Sequence, residues 1–192
     1  MAHQTLKFRV TGAAPLLMHC DQAVDPRNEW SKAMKQITSK RDKTDADLEE
    51  LARLEWYASL YVNKDGKPCI PGDVIQAVFV AAAKKSKDGV KAKMGTFCEN
   101  DYLLHFEGDD LSLDELWSEG NHRLTKSAKL QGKTVMRTRP QFTDWLADCE
   151  IVFDDEVFNL KQVKEILELA GHYVGLMDWR PRFGRFSIEF SK

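Results

Sequence analysis

The sequence has no long apolar run. Nothing in its 192 residues approaches the roughly 18–20 consecutive apolar positions of a membrane span. The opening Met1-Ala2-His3-Gln4-Thr5-Leu6 shows no export-leader pattern. Cysteine is sparse: Cys20, Cys69, Cys98 and Cys149 lie far apart without a Cys-x-x-Cys pair. That spacing argues against zinc and a disulfide framework, and for reduced core thiols in the cytoplasm. No His-Glu-x-x-His, Gly-x-Ser-x-Gly or phosphate-loop pattern occurs, so neither metal nor cofactor is expected. Fixed-period repeats and low-complexity linkers are missing too. There is also no strong charge of one sign: 28 Lys and Arg against 30 Asp and Glu give a net charge of −2. Hydrophobic residues at 43% and charged residues at 30% describe a soluble globular chain, and the length fits a single domain over 1–192.

The near-neutral mean hides segregation. Six acids and no base lie between Glu107 and Glu119, six bases and no acid between Asn121 and Phe142, and six acids again between Asp144 and Glu156. Further basic runs are Lys84-Lys85-Ser86-Lys87, continuing to Lys91 and Lys93, and Arg180-Pro181-Arg182-Phe183-Gly184-Arg185. Blocks of one sign create local potential, which is what a polyanion feels.

Leu6-Lys7-Phe8-Arg9-Val10 alternates as a half-buried strand with Lys7 and Arg9 outward. Helical composition runs over Asp25–Lys43, with Trp30, Met34 and Ile37 spaced by 4 and 3. Thr44-Asp45-Ala46-Asp47 predicts a capping box opening a helix of about 18 residues, and Asn63–Gly66 a turn. Asp73 to about Lys85, apolar nearly all round, predicts a helix buried against a sheet. Tyr102–Phe106 and Leu146–Phe153 predict strands, the latter with Leu146, Ile151 and Phe153 inward and an irregularity near Asp148. Leu113–Trp117 predicts a turn or two of helix. Asn159 caps a helix closed by Gly175, and Arg185–Phe190 alternates with Phe186, Ile188 and Phe190 on one face. Lys126–Leu130, Gln131-Gly132 and Lys133–Arg139 predict a hairpin. With so few apolar residues it has to project or be held by something else.

The expected fold class is α+β. A ferredoxin-like (RRM-like) βαββαβ core has strands at about 6–11, 102–106, 146–153 and 185–190 and helices at 73–85 and 159–175. A helical insertion at about 20–66 and an inserted basic β-hairpin at about 121–142 complete it. That plan resembles the RAMP superfamily, and in particular the backbone subunits of CRISPR effector complexes and small phage- or prophage-encoded proteins of this kind. Two motifs carry the resemblance: Ile70-Pro71-Gly72 opening an apolar helix, and the glycine- and arginine-bearing stretch Gly175-Leu176-Met177-Asp178-Trp179-Arg180-Pro181-Arg182-Phe183-Gly184-Arg185-Phe186. The resemblance implies a hairpin that reaches over a nucleic-acid strand toward the next subunit, above a floor formed by the arginine loop and the sheet edge.

The residues themselves point the same way. Single-strand binding asks for cations along the backbone track and planar groups for the bases. The hairpin offers Lys126, Lys129, Lys133, Arg137 and Arg139; the loop offers Arg180, Arg182, Arg185 and Trp179; Lys84 and Lys85 add a third basic run. The expected function is non-enzymatic binding of single-stranded RNA or DNA, with self-association into a homo-oligomer or filament, in the cytoplasm of a bacterial cell or a phage-infected host. Two alternatives stand beside it. One is a metal-independent endoribonuclease using His19, in the cluster His19-Cys20-Asp21; the resemblance to the RAMP superfamily implies for a histidine in this region the role of general base on a 2′-hydroxyl. The other is a protein-interaction module or inhibitor acting on a host ribonucleoprotein complex. His122 is a candidate for phosphate contact, and His172 reads as a packed or surface residue. Asp21 and Asp25 lack a third metal ligand. Trp30, Trp56, Tyr57 and Tyr61 form either a partner surface or a cluster covering one another.

Overall fold

A computed structural model describes residues 3–130 and 132–191 and, of Leu130 and Lys133, the backbone. Among these residues the elements run β1 His3–Gly12, β2 Leu16–Leu17, α1 Glu29–Thr38, α2 Asp45–Ser59, β3 Cys69–Ile70, α3 Gly72–Ala83, α4 Gly89–Gly95, β4 Thr96–Phe97, β5 Tyr102–Leu103, α5 Leu113–Glu119, β6 Arg123–Leu130, β7 Lys133–Phe142, β8 Leu146–Asp154, α6 Leu160–Leu169 and β9 Phe186–Phe190. This is an α+β chain, and no described helix is long and apolar enough to cross a membrane. It gathers into two compact units. Met1–Leu16, Val62–Asp109 and Thr143–Lys192 form the first, and Leu17–Tyr61 with Asp110–Phe142 the second. The helical segment and the basic hairpin, separate in sequence, thus fold together.

The first unit is built on an antiparallel sheet in the order β4-β8-β1-β9. Alternation decides its faces: Leu6, Phe8 and Val10 are buried while Thr5, Lys7 and Arg9 are exposed. On β8 the buried set is Ala147, Cys149, Ile151 and Phe153, in unbroken alternation. The expected break near Asp148 is therefore corrected. Leu146 has the opposite parity to Ile151, is half-buried, and exchanges two 2.9 Å backbone hydrogen bonds with His105. On the outer face the Arg9 guanidinium donates from Nε and Nη2 to the two carboxylate oxygens of Asp148, each at 2.8 Å. Helices α3 and α6 pack together, with Phe79 edge-on to Phe158 at 6.1 Å between centroids. Asn159 opens α6 with a capping box to Gln162, and Gly175 at φ +76° closes the following π-type turn, Ala170–Val174.

A second correction concerns the strand expected at 102–106. Tyr102–Leu103 pairs with Cys69–Ile70 in a separate two-stranded ladder, and the sheet position beside β8 belongs to Thr96–Phe97. Gly95 delivers that strand: a Cβ there would meet Val157 Cγ1 at 2.9 Å. The buried Thr96 donates from Oγ1 to the Ala92 carbonyl at 2.7 Å, and its own carbonyl accepts from Gln76 Nε2 at 2.6 Å. Tyr102 and Leu104 are apolar because they are buried, and the Tyr102 hydroxyl donates to the Glu150 carbonyl at 2.6 Å. Cys69 and Cys149 are buried, Cys20 and Cys98 half-buried, and none of the four is in a disulfide. Burial pushes the Cys98 thiol up to about 12, the signature of an inert core thiol.

In the second unit the capping box at Thr44 and Asp47 forms as predicted and starts α2. The hydrogen bond from Lys40, followed by that from the Thr44 backbone N–H, holds the Asp47 carboxyl down at about 2, against an ordinary value of 3.8. A depressed carboxyl contributes stability above its unfolded value and loses it as pH falls through the folded one. Stability is therefore expected to fall between about pH 4 and pH 2, with a loss smaller in Asp47→Asn than in the parent, measured by chemical denaturation across that range; an identical pH profile for the two proteins would contradict this. In the first unit Gly184, at φ +71°, donates to the Pro15 carbonyl and accepts from the Leu176 N–H, each at 2.8 Å, and a Cβ on it would lie 2.0 Å from the Leu176 carbonyl oxygen. Gly184→Ala is expected to cost about 2 kcal/mol or more in denaturant unfolding; a variant as stable as the parent would overturn the close approach of Gly184 to Leu176.

Candidate nucleic-acid interface

The hairpin β6–β7 pairs in the register Leu130↔Lys133, Lys126↔Arg137 and Leu124↔Arg139. Two like charges directly opposite one another, Lys126 and Arg137, work against a ribbon on its own. The opposing charge comes from α2. Glu55, only 8% exposed, accepts from the Thr138 backbone N–H at 2.9 Å and from Arg137 Nη1 in a short ion pair. The carboxylate thus satisfies both the Thr138 N–H of β7 and the guanidinium beside it, in a sheet of order β2-β7-β6.

Aromatic packing fastens the other side. Trp56 is fully buried and donates from Nε1 to the His122 carbonyl at 2.7 Å. Trp30 stacks on Tyr57 at 5.5 Å, Trp56 lies edge-on to Tyr57 at 5.0 Å, and Trp117 meets Trp56 at 5.8 Å. Arg123 sits over the Trp117 ring at 4.4 Å and bonds Glu49 at 2.9 Å. The Tyr57 hydroxyl donates to Asp114, and burial, ahead of that bond, raises it to about 12. Of the two readings of these aromatics, mutual covering describes Trp30, Trp56 and Tyr57. Tyr61 is half-buried and donates to the His19 carbonyl at 3.4 Å.

Between α1, α2 and the hairpin, wholly within the second unit, lies a cavity of 530 Å³. Its cationic lining is Lys35, Lys129, Arg137 and Arg139, with His19 beside them, and Glu55 is the one carboxylate among the lining residues. Met34, Leu51 and Val135 give it an apolar floor. The structure therefore brings together three hairpin cations and the candidate histidine, residues that the sequence holds about 110 to 120 positions apart. Lys35 was missed by sequence reasoning. Its only signal was its place next to Met34 in the helical insertion.

The remaining predicted residues fall elsewhere. Lys126 is exposed on β6. The side chain of Lys133 lies outside the described residues. Lys84, Lys85, Trp179, Arg180, Arg182 and Arg185 belong to the first unit. Lys85 places its ammonium 3.5 Å from the centre of the Tyr173 ring, two residues ahead of Gly175. Arg180, Arg182 and Arg185 are exposed, while Phe183 is buried and Trp179 half-buried against it at 5.9 Å. Met177 and Trp179 both adopt left-handed backbone, φ +59° and +53°, a conformation that non-glycine residues keep only when their surroundings enforce it. His122 is buried against Phe142, and His172 is exposed, edge-on to Tyr173 at 4.5 Å. Asp25 is engaged by Arg27 at 3.1 Å. No cluster of three or more metal-ligating side chains occurs among the described residues. Compared with family models and with curated proteins, the chain matches none.

Truncating Glu55 leaves the Thr138 N–H and the Arg137 guanidinium without their shared acceptor. Glu55→Ala is expected to cost about 2 kcal/mol in denaturant unfolding and to raise amide exchange along β7, with Glu55→Gln and Arg137→Ala milder. Parent-like stability and exchange in Glu55→Ala would show that the hairpin is held by other means.

Proposed function

We propose that the protein binds single-stranded nucleic acid without cleaving it, gripping the strand with the cationic cavity of the second unit. The observation that carries this reading is the convergence of Lys35, Lys129, Arg137 and Arg139 on one cavity. Clustered Lys and Arg side chains are what a phosphate track recruits. Arg137 is shared with Glu55 and serves the architecture first. Lys129 and Arg139, with Lys126 and Lys133 further along the hairpin, are the contacts assigned to phosphate. Arg180, Arg182, Arg185 and Trp179, together with Lys84 and Lys85, are proposed as a separate set of strand contacts on the first unit.

The sheet supports a narrower statement about fold. We read the first unit as ferredoxin-like: with Thr96–Phe97 taken as the second core strand, the strand order 2-3-1-4 and the placing of α3 and α6 between the paired strands support that plan. We read the chain as a RAMP-type domain on that plan and on the two motifs. The outer face of this sheet carries the Arg9–Asp148 pair where an RRM-like platform would present aromatics, which favours the second unit as the gripping surface. Self-association along the strand is part of the proposal. It rests on segregated blocks of opposite charge, which suit open head-to-tail contacts, and the setting is the cytoplasm of a bacterial cell or a phage-infected host.

A second reading has one observation in its favour: His19 is exposed and lines the same cavity, where a general base on a 2′-hydroxyl would have to sit. Labelled RNA incubated with the protein in EDTA is expected to stay intact, and cleavage lost in His19→Ala would establish the ribonuclease instead. For binding, Lys129→Glu combined with Arg139→Glu is expected to weaken affinity for a single strand about tenfold or more and to lower the salt slope by roughly one per phosphate contact removed. Fluorescence anisotropy across a salt series measures both; an unchanged slope would remove the hairpin from the site.

A further inference from the structure

We propose that the outward face of α4 is a docking surface for an acidic, amphipathic helix of a partner protein. The surface lies wholly within the first unit and does not depend on strand binding by the second. Between Lys84 and Cys98 the chain carries five lysines, no arginine and a single acid, Asp88. Asp88 is paired with Lys91 at 3.3 Å, and Lys85 is seated on the Tyr173 ring. Lys87, Lys91 and Lys93 are exposed.

A helix turns by about 100° per residue, which sorts the side chains of Gly89–Gly95 into two faces. Ala92 and Gly95 are buried where α4 packs on α3 and β4. Val90 and Met94, four residues apart on the opposite face, are 73% and 75% exposed. Lys91 and Lys93 flank them on either side. An apolar centre with a charged rim is the anatomy of a protein interface, where Met is enriched and its unbranched thioether adapts to the surface it meets.

The chemistry of the patch selects its occupant. Cations without arginine call for carboxylates, and an apolar pair at helical spacing calls for an apolar stripe between them. A phosphate track gains nothing from aliphatic side chains, and bases ask for open rings, whereas Tyr173 is covered by the Lys85 ammonium. One valine and one methionine also bury less hydrocarbon than a myristoyl chain, which alone holds a membrane only marginally. Lys87 adds a separate observation. It turns the chain from α3 into α4 with left-handed backbone, φ +65°, its N–H donating to the Lys84 carbonyl at 3.2 Å. Glycine adopts that conformation freely, so a lysine there gives up stability and contributes charge beside Val90.

The probe is a synthetic helical peptide with leucines at i, i+4 spacing between glutamates, set against a scrambled peptide of the same composition. Anisotropy measures binding to the full chain, and methyl NMR of the methionines locates it. The parent is expected to bind the amphipathic peptide about tenfold tighter or more, with the Met94 methyl shifting. Val90→Ser combined with Met94→Gln is expected to bring the two peptides to equal affinity, and Lys91→Glu combined with Lys93→Glu to weaken both. Lys87→Gly is expected to weaken both peptides while the midpoint of denaturant unfolding holds or rises, which a lysine with a merely structural role would not do. Equal affinity of the parent for the two peptides, or an undiminished preference in Val90→Ser/Met94→Gln, overturns the docking face and leaves strand binding standing. Displacement of the peptide by a single-stranded oligonucleotide that binds less well to Lys91→Glu/Lys93→Glu would assign the patch to nucleic acid instead. Co-sedimentation of the parent, but not of Val90→Ser/Met94→Gln, with phosphatidylserine–phosphatidylcholine vesicles, without a preference between the peptides, would assign it to a membrane.

Discussion

One buried carboxylate carries the second unit. The hairpin β6–β7, part of a three-stranded sheet in the order β2-β7-β6, opposes Lys126 to Arg137. Glu55 offsets that repulsion by accepting from the Thr138 N–H and the Arg137 guanidinium. Everything proposed for the cavity depends on this, because the same contacts set the distance between α2 and β7 and so the space between them. The ion pair is partly solvent-facing at the arginine and buried at the glutamate. Its value lies less in net stability than in fixing one arrangement of the hairpin.

Local signals made much of the architecture legible. The capping boxes at Thr44 and Asn159 stand in the sequence as written, and the alternation at Leu6–Val10 and Phe186–Phe190 announces one-sided strands. The pairing of β6 with β7 followed from the residues of the two strands, while Gln131 of the expected turn lies outside the described residues. The misses have physical causes. Thr96–Phe97 is too short to show any period, and its place in the sheet is decided by the close approach of Gly95 to Val157. Tyr102–Leu104 has the alternation of a strand, but alternation reports burial and not the identity of the partner, which turned out to be Cys69–Ile70. Leu146 was assigned inward because it is apolar, although its parity on β8 puts it on the other face.

The site was legible as an inventory of cations but not as a place. Glu55 looked like one more acid on an acidic helix. The overlooked signal was positional: Leu51, Glu55 and Ala58 share the spacing of a helix's buried face, so a charge there asks for a buried partner. The segregated charge blocks proved to have local uses as well. Asp148 answers Arg9 on the sheet, and Asp114 answers Tyr57. The net charge of −2 thus hides local groupings of charge, four cations around one cavity among them.

The central claim is that a single strand runs through the cavity of the second unit. Ultraviolet crosslinking of a strand carrying a photoreactive pyrimidine, followed by mass spectrometry of the modified peptides, reads this most directly. Adducts are expected on peptides from α1 and from β6–β7, around Met34, Lys35 and Lys129. Adducts confined to the outer face of the first unit's sheet, around Lys7 and Arg9, would contradict it.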